Sequence, residues 1–386
     1  MTIKSNLNMM KLISFILLLL SMDASAQSRQ KGFTIHGELT GLKDGTVLYL
    51  EHNNDNGGSD TVARVTATDG KFSFSGFVEH EAEPYFIKID TSKTKYEREI
   101  VGLIAILMEN KAVEVKGDIS DLSIPAIKVS GSPAHDEFVS YYVISDSMMA
   151  ISNGLLDRMN TAYGKGDTVS AAYFQRQFDD ARTRFNEVAT TWIVNHPGSM
   201  VTPWLIDQIY RGELEKLKSF YGNLEPRVQN SKTGRDLHSQ IIALEKTAEG
   251  RVAPNFQFPD QDGKNISLKE VVQKSKLTVL EFWASWCAPC LEEFPKMKEI
   301  YSQYHDKGLN ILAYSVDDKE SDWKKAIAKN NLKWYNIRET SKAFAEKEYG
   351  VTGLPQIFLL NEKGEIVSKP VTADELQKKI VELMNQ

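Results

Sequence analysis

Between residues 33 and 130 the chain alternates apolar and polar positions in short runs rich in β-branched and aromatic residues, broken by Gly, Asp and Asn. The runs at 33–39, 46–51, 61–67, 71–78, 85–89, 103–108 and 113–116 read as strands. Asp69-Gly70 separates the third run from the fourth and predicts a two-residue hairpin turn. Many strands joined by turns, with no helical run among them, predict an antiparallel β-sandwich or barrel over 27–131.

The period changes at Ser132. Phe174, Phe178, Ala181, Phe185, Val188 and Trp192 recur at steps of three and four, which predicts one long helix with this stripe turned to a core. Further helical runs surround 204–210, 214–221 and 237–245, punctuated by Pro197-Gly198, Gly212 and Gly222. These runs predict a helical module over 132–248 without its own chemistry, and no 34-residue repeat is sustained through it.

A third pattern begins at Arg251, where strands alternate with helices. An apolar strand at 277–283, an amphipathic helix at 288–305 and a second apolar strand at 310–316 come first. Strands at 356–360 and 365–368 then flank the turn Glu362-Lys363-Gly364, and a last helix follows near 372–384. The expected fold class is therefore multidomain: an antiparallel β domain, a central α-helical module, and a C-terminal α/β domain with a mixed sheet over 251–386.

Composition narrows the function classes. The 386 residues are 41% hydrophobic and 25% charged, an ordinary globular balance. With 46 Lys+Arg against 52 Asp+Glu the net charge is −6, and no basic stripe offers the phosphate neutralisation that nucleic-acid binding requires. No nucleic-acid partner is expected. His36, His52 and His80 stand singly, without metal-ligand spacing.

The N-terminus carries an address. Lys4 and Lys11 precede an apolar stretch at 12–20, and Asp23-Ala24-Ser25-Ala26-Gln27 offers a small-x-small cleavage site. The stretch is short of the ~20 residues that span a bilayer. Residues 1–26 are thus expected to be a signal peptide, and the mature chain to be exported without stable membrane insertion.

Cys287 and Cys290 are the only two cysteines, in the run Trp286-Cys287-Ala288-Pro289-Cys290. A strand ending at Trp286 and a helix starting near Ala288 place Cys287 at a helix N-terminus. There, unsatisfied N–H groups and the macrodipole stabilise a thiolate. Pro289 suits a first helical turn, and Cys290, one turn in, is placed to resolve a mixed disulfide. Three other uses of the pair stand beside this one. Structural zinc needs two more ligands, and only His305 follows at a remotely suitable distance. A purely structural disulfide would close so small a ring that its entropic gain is minor. Copper delivery would call for a distant His and a wider spacing.

The run from Glu281 to Cys290, Glu-Phe-Trp-Ala-Ser-Trp-Cys-Ala-Pro-Cys, resembles the thioredoxin-superfamily active site. Upstream, Ala253-Pro254-Asn255-Phe256, Asp262-Gly263-Lys264 and Ser267-Leu268 resemble the exported TlpA/ResA-like branch of that superfamily. Pro295 matches the proline inside the active-site helix, and Gly353-Leu354-Pro355 matches the cis-proline loop. The resemblance covers roughly 251–386; the β-rich and helical regions before it resemble, more weakly, those that accompany such domains in some exported bacterial oxidoreductases.

The resemblance implies Cys287 as nucleophile, Cys290 as resolving thiol and their pair as a redox-active disulfide. It makes Pro355 a cis-proline that sets the Leu354 backbone beside the disulfide to pair with an extended substrate, with Trp286 as a further substrate-binding residue. Glu281 stands where thioredoxins keep a buried acid, one methylene shorter there, and Glu293 matches a glutamate of the TlpA/ResA-like branch; either is a candidate proton shuttle for Cys290. The implied enzyme is an exported, periplasmic thiol:disulfide oxidoreductase without cofactor or metal. It would reduce disulfide-containing protein substrates with electrons from a membrane thiol donor. One alternative places the working part in 27–248 as a binding or docking module, with the redox domain secondary. Another is a peroxiredoxin-like peroxide reductase, whose motif needs Thr and Pro where this chain has Ala284 and Leu280.

Overall fold

In the computed structural model, alternating side chains in strand β1 (Phe33–Thr40) send Phe33, Ile35 and Leu39 inward and leave polar neighbours in solvent, the period-two signature of a half-buried strand. The structure describes residues 32–53, 59–92, 94, 96, 102–124, 126–339 and 342–385. The expected signal segment 1–26 lies outside the described residues.

The chain divides into two compact units, residues up to Val143 and Ile144–Gln386. The first holds β2 (Val47–Asn53), β3 (Ser59–Thr66), β4 (Lys71–Gly76), β5 (Glu83–Asp90), β6 (Ile104–Met108), β7 (Ala112–Asp118) and β8 (Lys128–Ser130) in addition to β1. They form two four-stranded sheets, β4-β1-β7-β8 and β3-β2-β5-β6, whose inward residues share one core. Two expectations are corrected here. The β domain is not purely antiparallel, because β1 runs parallel to β7 with Ile35 opposite Val113. Alternation reveals which face of a strand is buried but carries no information on which strand lies beside it. Nor does Asp69-Gly70 join two paired strands. The turn is tight, with Thr68 and Lys71 exchanging both backbone bonds and positive φ at both central residues, yet β3 pairs with β2 and β4 with β1. The turn carries the chain from one sheet to the other.

The helices are α1 (Pro133–Gly164), whose length contains the unit boundary, then α2 (Thr168–Asn195), α3 (Thr202–Tyr210), α4 (Leu214–Gly222), α5 (Pro226–Gln229) and α6 (Lys232–Lys246). The apolar stripe of α2 is less enclosed than its period suggests. Trp192 is buried, Phe174, Phe178, Ala181 and Phe185 are half-buried, and Val188 is exposed. A 3.6-residue period identifies the apolar face and not the number of elements that cover it.

Helices α2 to α6 share the second unit with the α/β part, which begins with the small hairpin β9 (Gln257–Pro259) and β10 (Asn265–Ser267) and the short helix α7 (Leu268–Val272). Next come β11 (Leu277–Trp283), α8 (Ala288–Tyr304), β12 (Leu309–Ser315), α9 (Glu320–Asn330), β13 (Tyr335–Arg338), α10 (Lys342–Tyr349), β14 (Gln356–Asn361), β15 (Ile366–Ser368) and α11 (Ala373–Met384). The sheet order is β13-β12-β11-β14-β15, with β11 parallel to β12 and antiparallel to β14. Every residue of β11 and β12 is buried, as expected of central strands covered on both faces. Residues 250–253 pair with 364–366 beyond one edge of the sheet, and Asp260 bridges to Ile337 at the other, so both edges are occupied.

Candidate active site

Strand β11 delivers the cysteines. It ends at Trp283, and the next four residues form a turn closed by the Cys287 N–H donating to the Ala284 carbonyl at 3.1 Å. Cys287 is the N-cap of α8. Its Sγ accepts the Cys290 N–H at 3.2 Å, occupying a donor that the first helical turn cannot pair internally. Pro289 lies in that first turn, where its missing N–H costs nothing, whereas Pro295 lies inside the helix and removes one donor. Cys287 and Cys290 form a disulfide with Cα atoms 5.3 Å apart. Cys287 keeps 4% of its surface accessible and Cys290 none, so an incoming thiolate reaches the Cys287 sulfur first. Trp286, immediately before it, is largely exposed.

The antiparallel register of β11 with β14 sets Phe282 opposite Gln356, so Pro355 comes level with Trp283 where β11 ends. The Leu354–Pro355 peptide is cis. Half-buried Leu354 packs on the core of this unit, and the loop and the cysteine turn emerge at one end of the sheet. From the helical part, the Arg211 guanidinium reaches the Thr352 carbonyl of that loop at 3.5 Å.

Glu281 is fully buried in β11. Alternation puts it on the same face as Trp283, whose ring meets Phe294 of α8 edge to face, so its carboxyl lies under the active-site helix. Neither oxygen has a hydrogen-bond partner among the described residues. Burial, and then the charge of Glu293, pushes this carboxyl up to about 8. Glu293, one turn beyond Cys290, is half-buried, and its Oε2 accepts the Ala373 N–H at 3.0 Å. His305 lies some 15 residues along from Cys290, on the order of 20 Å at helical rise, where its Nδ1 meets the Leu309 carbonyl and its ring stacks on Tyr301. It is out of reach of a ligand set shared with the cysteines.

Asp317, buried just past β12, accepts both the N–H and the hydroxyl of Ser285, the second residue of the turn that ends at Cys287. The first of two acids after an apolar run was its only trace in the sequence, and the register of β11 against β12 brings it to the turn.

Comparison with known proteins places this site in context. The AhpC/TSA family model matches residues 250–369, and the model described as a domain of unknown function, DUF4369, matches 33–138. The thiol-disulfide oxidoreductase ResA of Bacillus subtilis (strain 168) is 34% identical over 158 residues, 39% of this chain and 83% of that protein. ResA of Bacillus thuringiensis subsp. konkukian is 32% identical over 142 residues, 37% of this chain and 80% of that protein. Among solved structures, the thioredoxin domain of a thiol-disulfide oxidoreductase from Bacteroides vulgatus is 31% identical, covering 36% of this chain and 99% of its own, with a TM-score of 0.34.

Proposed function

Because the chain belongs to the ResA-like family of thiol-disulfide oxidoreductases in the thioredoxin superfamily, we propose that it works outside the cytoplasm as a reductase of protein disulfides. In the reduced enzyme the Cys287 thiolate attacks one sulfur of the substrate disulfide, forming a mixed disulfide and expelling one substrate thiolate. Cys290, deprotonated by the ionised form of Glu281 or Glu293, then attacks the Cys287 sulfur. The second substrate thiolate leaves, two electrons have passed to the substrate, and the Cys287–Cys290 disulfide remains. An external thiol donor at the membrane restores the dithiol, and the Leu354 backbone beside Pro355 pairs with an extended stretch of substrate next to Trp286. No metal or organic cofactor enters this sequence of steps.

The observation that carries this reading is the Cys287–Cys290 disulfide at the N-terminus of α8, with Cys287 the less enclosed of the two residues. Export rests on the N-terminal apolar segment. Among the described residues no helix is long and apolar enough to cross a membrane. The test is the reduction potential of the pair, by glutathione or dithiothreitol titration with thiol trapping. A value near or below about −250 mV is expected of a reductase, and one nearer about −120 mV would make the protein an oxidant instead.

Peroxide reduction is the second reading, favoured by the AhpC/TSA match over 250–369. Against it, Ala284 brings no hydroxyl to the position three before Cys287. Peroxide consumption by the reduced protein, expected to be slow relative to disulfide reduction, separates the two.

A further inference from the structure

The turn that presents Cys287 is held from outside its own strand–turn–helix unit. Parallel pairing sets Trp283 opposite Ser315, and the Val316 N–H donates to the Trp283 carbonyl at 3.0 Å. The next residue, Asp317, is thereby aimed at Ser285. The Ser285 N–H lies 3.1 and 2.9 Å from the two Asp317 oxygens, and the Ser285 hydroxyl donates to Oδ1 at 2.6 Å. The Ser315 hydroxyl donates to Oδ2 at 2.7 Å and accepts the Asp317 N–H at 3.0 Å. The carboxylate is 2% exposed and its acceptor sites are filled by neutral donors. The Arg338 guanidinium at this end of the sheet turns instead to the Asp317 and Asp318 carbonyls, at 3.2 and 3.4 Å, and toward Glu320 at 3.8 Å.

We infer that Asp317 is a positioning residue for the redox pair. It clamps Ser285 so that Cys287 stays seated as the N-cap of α8, and it sets a buried negative charge behind the turn that opposes the Cys287 thiolate. The inference rests on the dithiol reading of Cys287 and Cys290. Two physical effects follow from the arrangement. A seated N-cap holds the Cys287 sulfur in one place at the start of α8, and a fixed sulfur lets an attacking thiolate and its leaving group line up. A fixed like charge in a low-dielectric setting disfavours the thiolate. Because a stabilised reduced form is what makes a dithiol pair oxidising, an opposed thiolate makes the pair a better electron donor.

The test compares the full-length protein with Asp317→Asn, Ser285→Ala and Asp318→Asn. Asparagine keeps an acceptor for Ser285 and removes the charge. Ser285→Ala keeps the charge and the N–H contacts and removes one clamp bond. Asp318→Asn removes an equal formal charge from the exposed neighbour. The readouts are the glutathione equilibrium of the pair and the split between kcat and KM for a protein disulfide.

Asp317→Asn is expected to shift the equilibrium toward the dithiol by about tenfold, ~30 mV for a two-electron couple, and Asp318→Asn by less than about twofold. Ser285→Ala is expected to lower kcat by about tenfold with KM unchanged, as for an interaction used in the transition state. The inference is overturned if folded Asp317→Asn moves the equilibrium by less than about threefold, or if Asp318→Asn moves it as far. Should Asp317→Asn fail to fold, Ser285→Ala decides, and an unchanged kcat overturns the inference. A wild-type protein with no measurable dithiol–disulfide equilibrium overturns the reductase reading itself. That result is distinct from a wild type that cycles alongside variants that match it.

Discussion

The Glu293 carboxylate on the helix that carries Cys290 accepts the backbone N–H of Ala373, the first residue of the last helix, at 3.0 Å. Thr372 caps that helix through the Glu375 N–H, so Glu293 pairs a donor that the Thr372 side chain leaves open. A second and more exposed tie, Lys296 to Asp374 at 3.5 Å, joins the same two helices. One carboxylate thus serves as a helix cap and also acts on Glu281 through its charge.

Glu293→Ala is accordingly expected to lower stability by about 1–2 kcal/mol, the cost of a lost charge-assisted cap, and Glu293→Gln by less. Urea unfolding of the oxidised protein measures it. Equal stability in Glu293→Ala and wild type would remove the capping role.

Glu281 predicts a pH dependence of folding. With its carboxyl pushed up from 4.5 to about 8, the folded protein holds a proton through that window that the unfolded chain has released. Stability is therefore expected to fall as pH rises from about 4.5 to about 8, by up to about 1.4 kcal/mol per pH unit. Glu281→Gln, always neutral, should lack this contribution. The quantity to measure is the difference between the two stability profiles, and a constant difference across the window would contradict the assignment.

His135 predicts the opposite slope, in the first unit. It is buried, the Leu107 N–H points to its Nδ1 at 3.3 Å, and burial lowers its pKa from 6.5 to about 4. Between those values the unfolded chain binds a proton that the folded protein refuses. Stability is fully present above about pH 6.5 and is lost as pH falls toward about 4. His135→Asn, whose side-chain oxygen can take the Leu107 N–H, should flatten that limb, as read by hydrogen exchange in the β strands.

The cysteines should separate by role. Cys287→Ser is expected to abolish disulfide reduction, whereas Cys290→Ser should accumulate a mixed disulfide with substrate through Cys287, visible by non-reducing electrophoresis and mass. Trapping through position 290 in Cys287→Ser would reverse the assignment.

How much of this was legible beforehand depends on the range of the interaction. The span of β11 was readable because a mostly apolar, β-branched and aromatic run from Leu277 to Trp283 describes a central strand without reference to its neighbours. The Cys287 N-cap was readable because strand end, Pro289 and Cys290 lie within a few residues of one another. The parallel pairing of β1 with β7 was not, since alternation is the same in either direction. Nor do the short strand β13 and helices α9 and α10 declare themselves in the sequence, as stretches too brief or too polar to carry a clear period.

By itself, then, the sequence determined the local devices: the dithiol at a helix start, the proline within that helix, the glutamate in the strand beneath it and the three successive periods of the chain. Tertiary structure alone decided what those devices face. It seated Glu293 on Ala373, aimed Asp317 at Ser285 and brought Arg211 to the cis-proline loop. Each of these joins residues at least 32 positions apart through strand register and helix docking. Local sequence sets a residue's conformation and burial tendency, but its partner across such a distance is chosen only when the hydrophobic faces close on one another and fix the register.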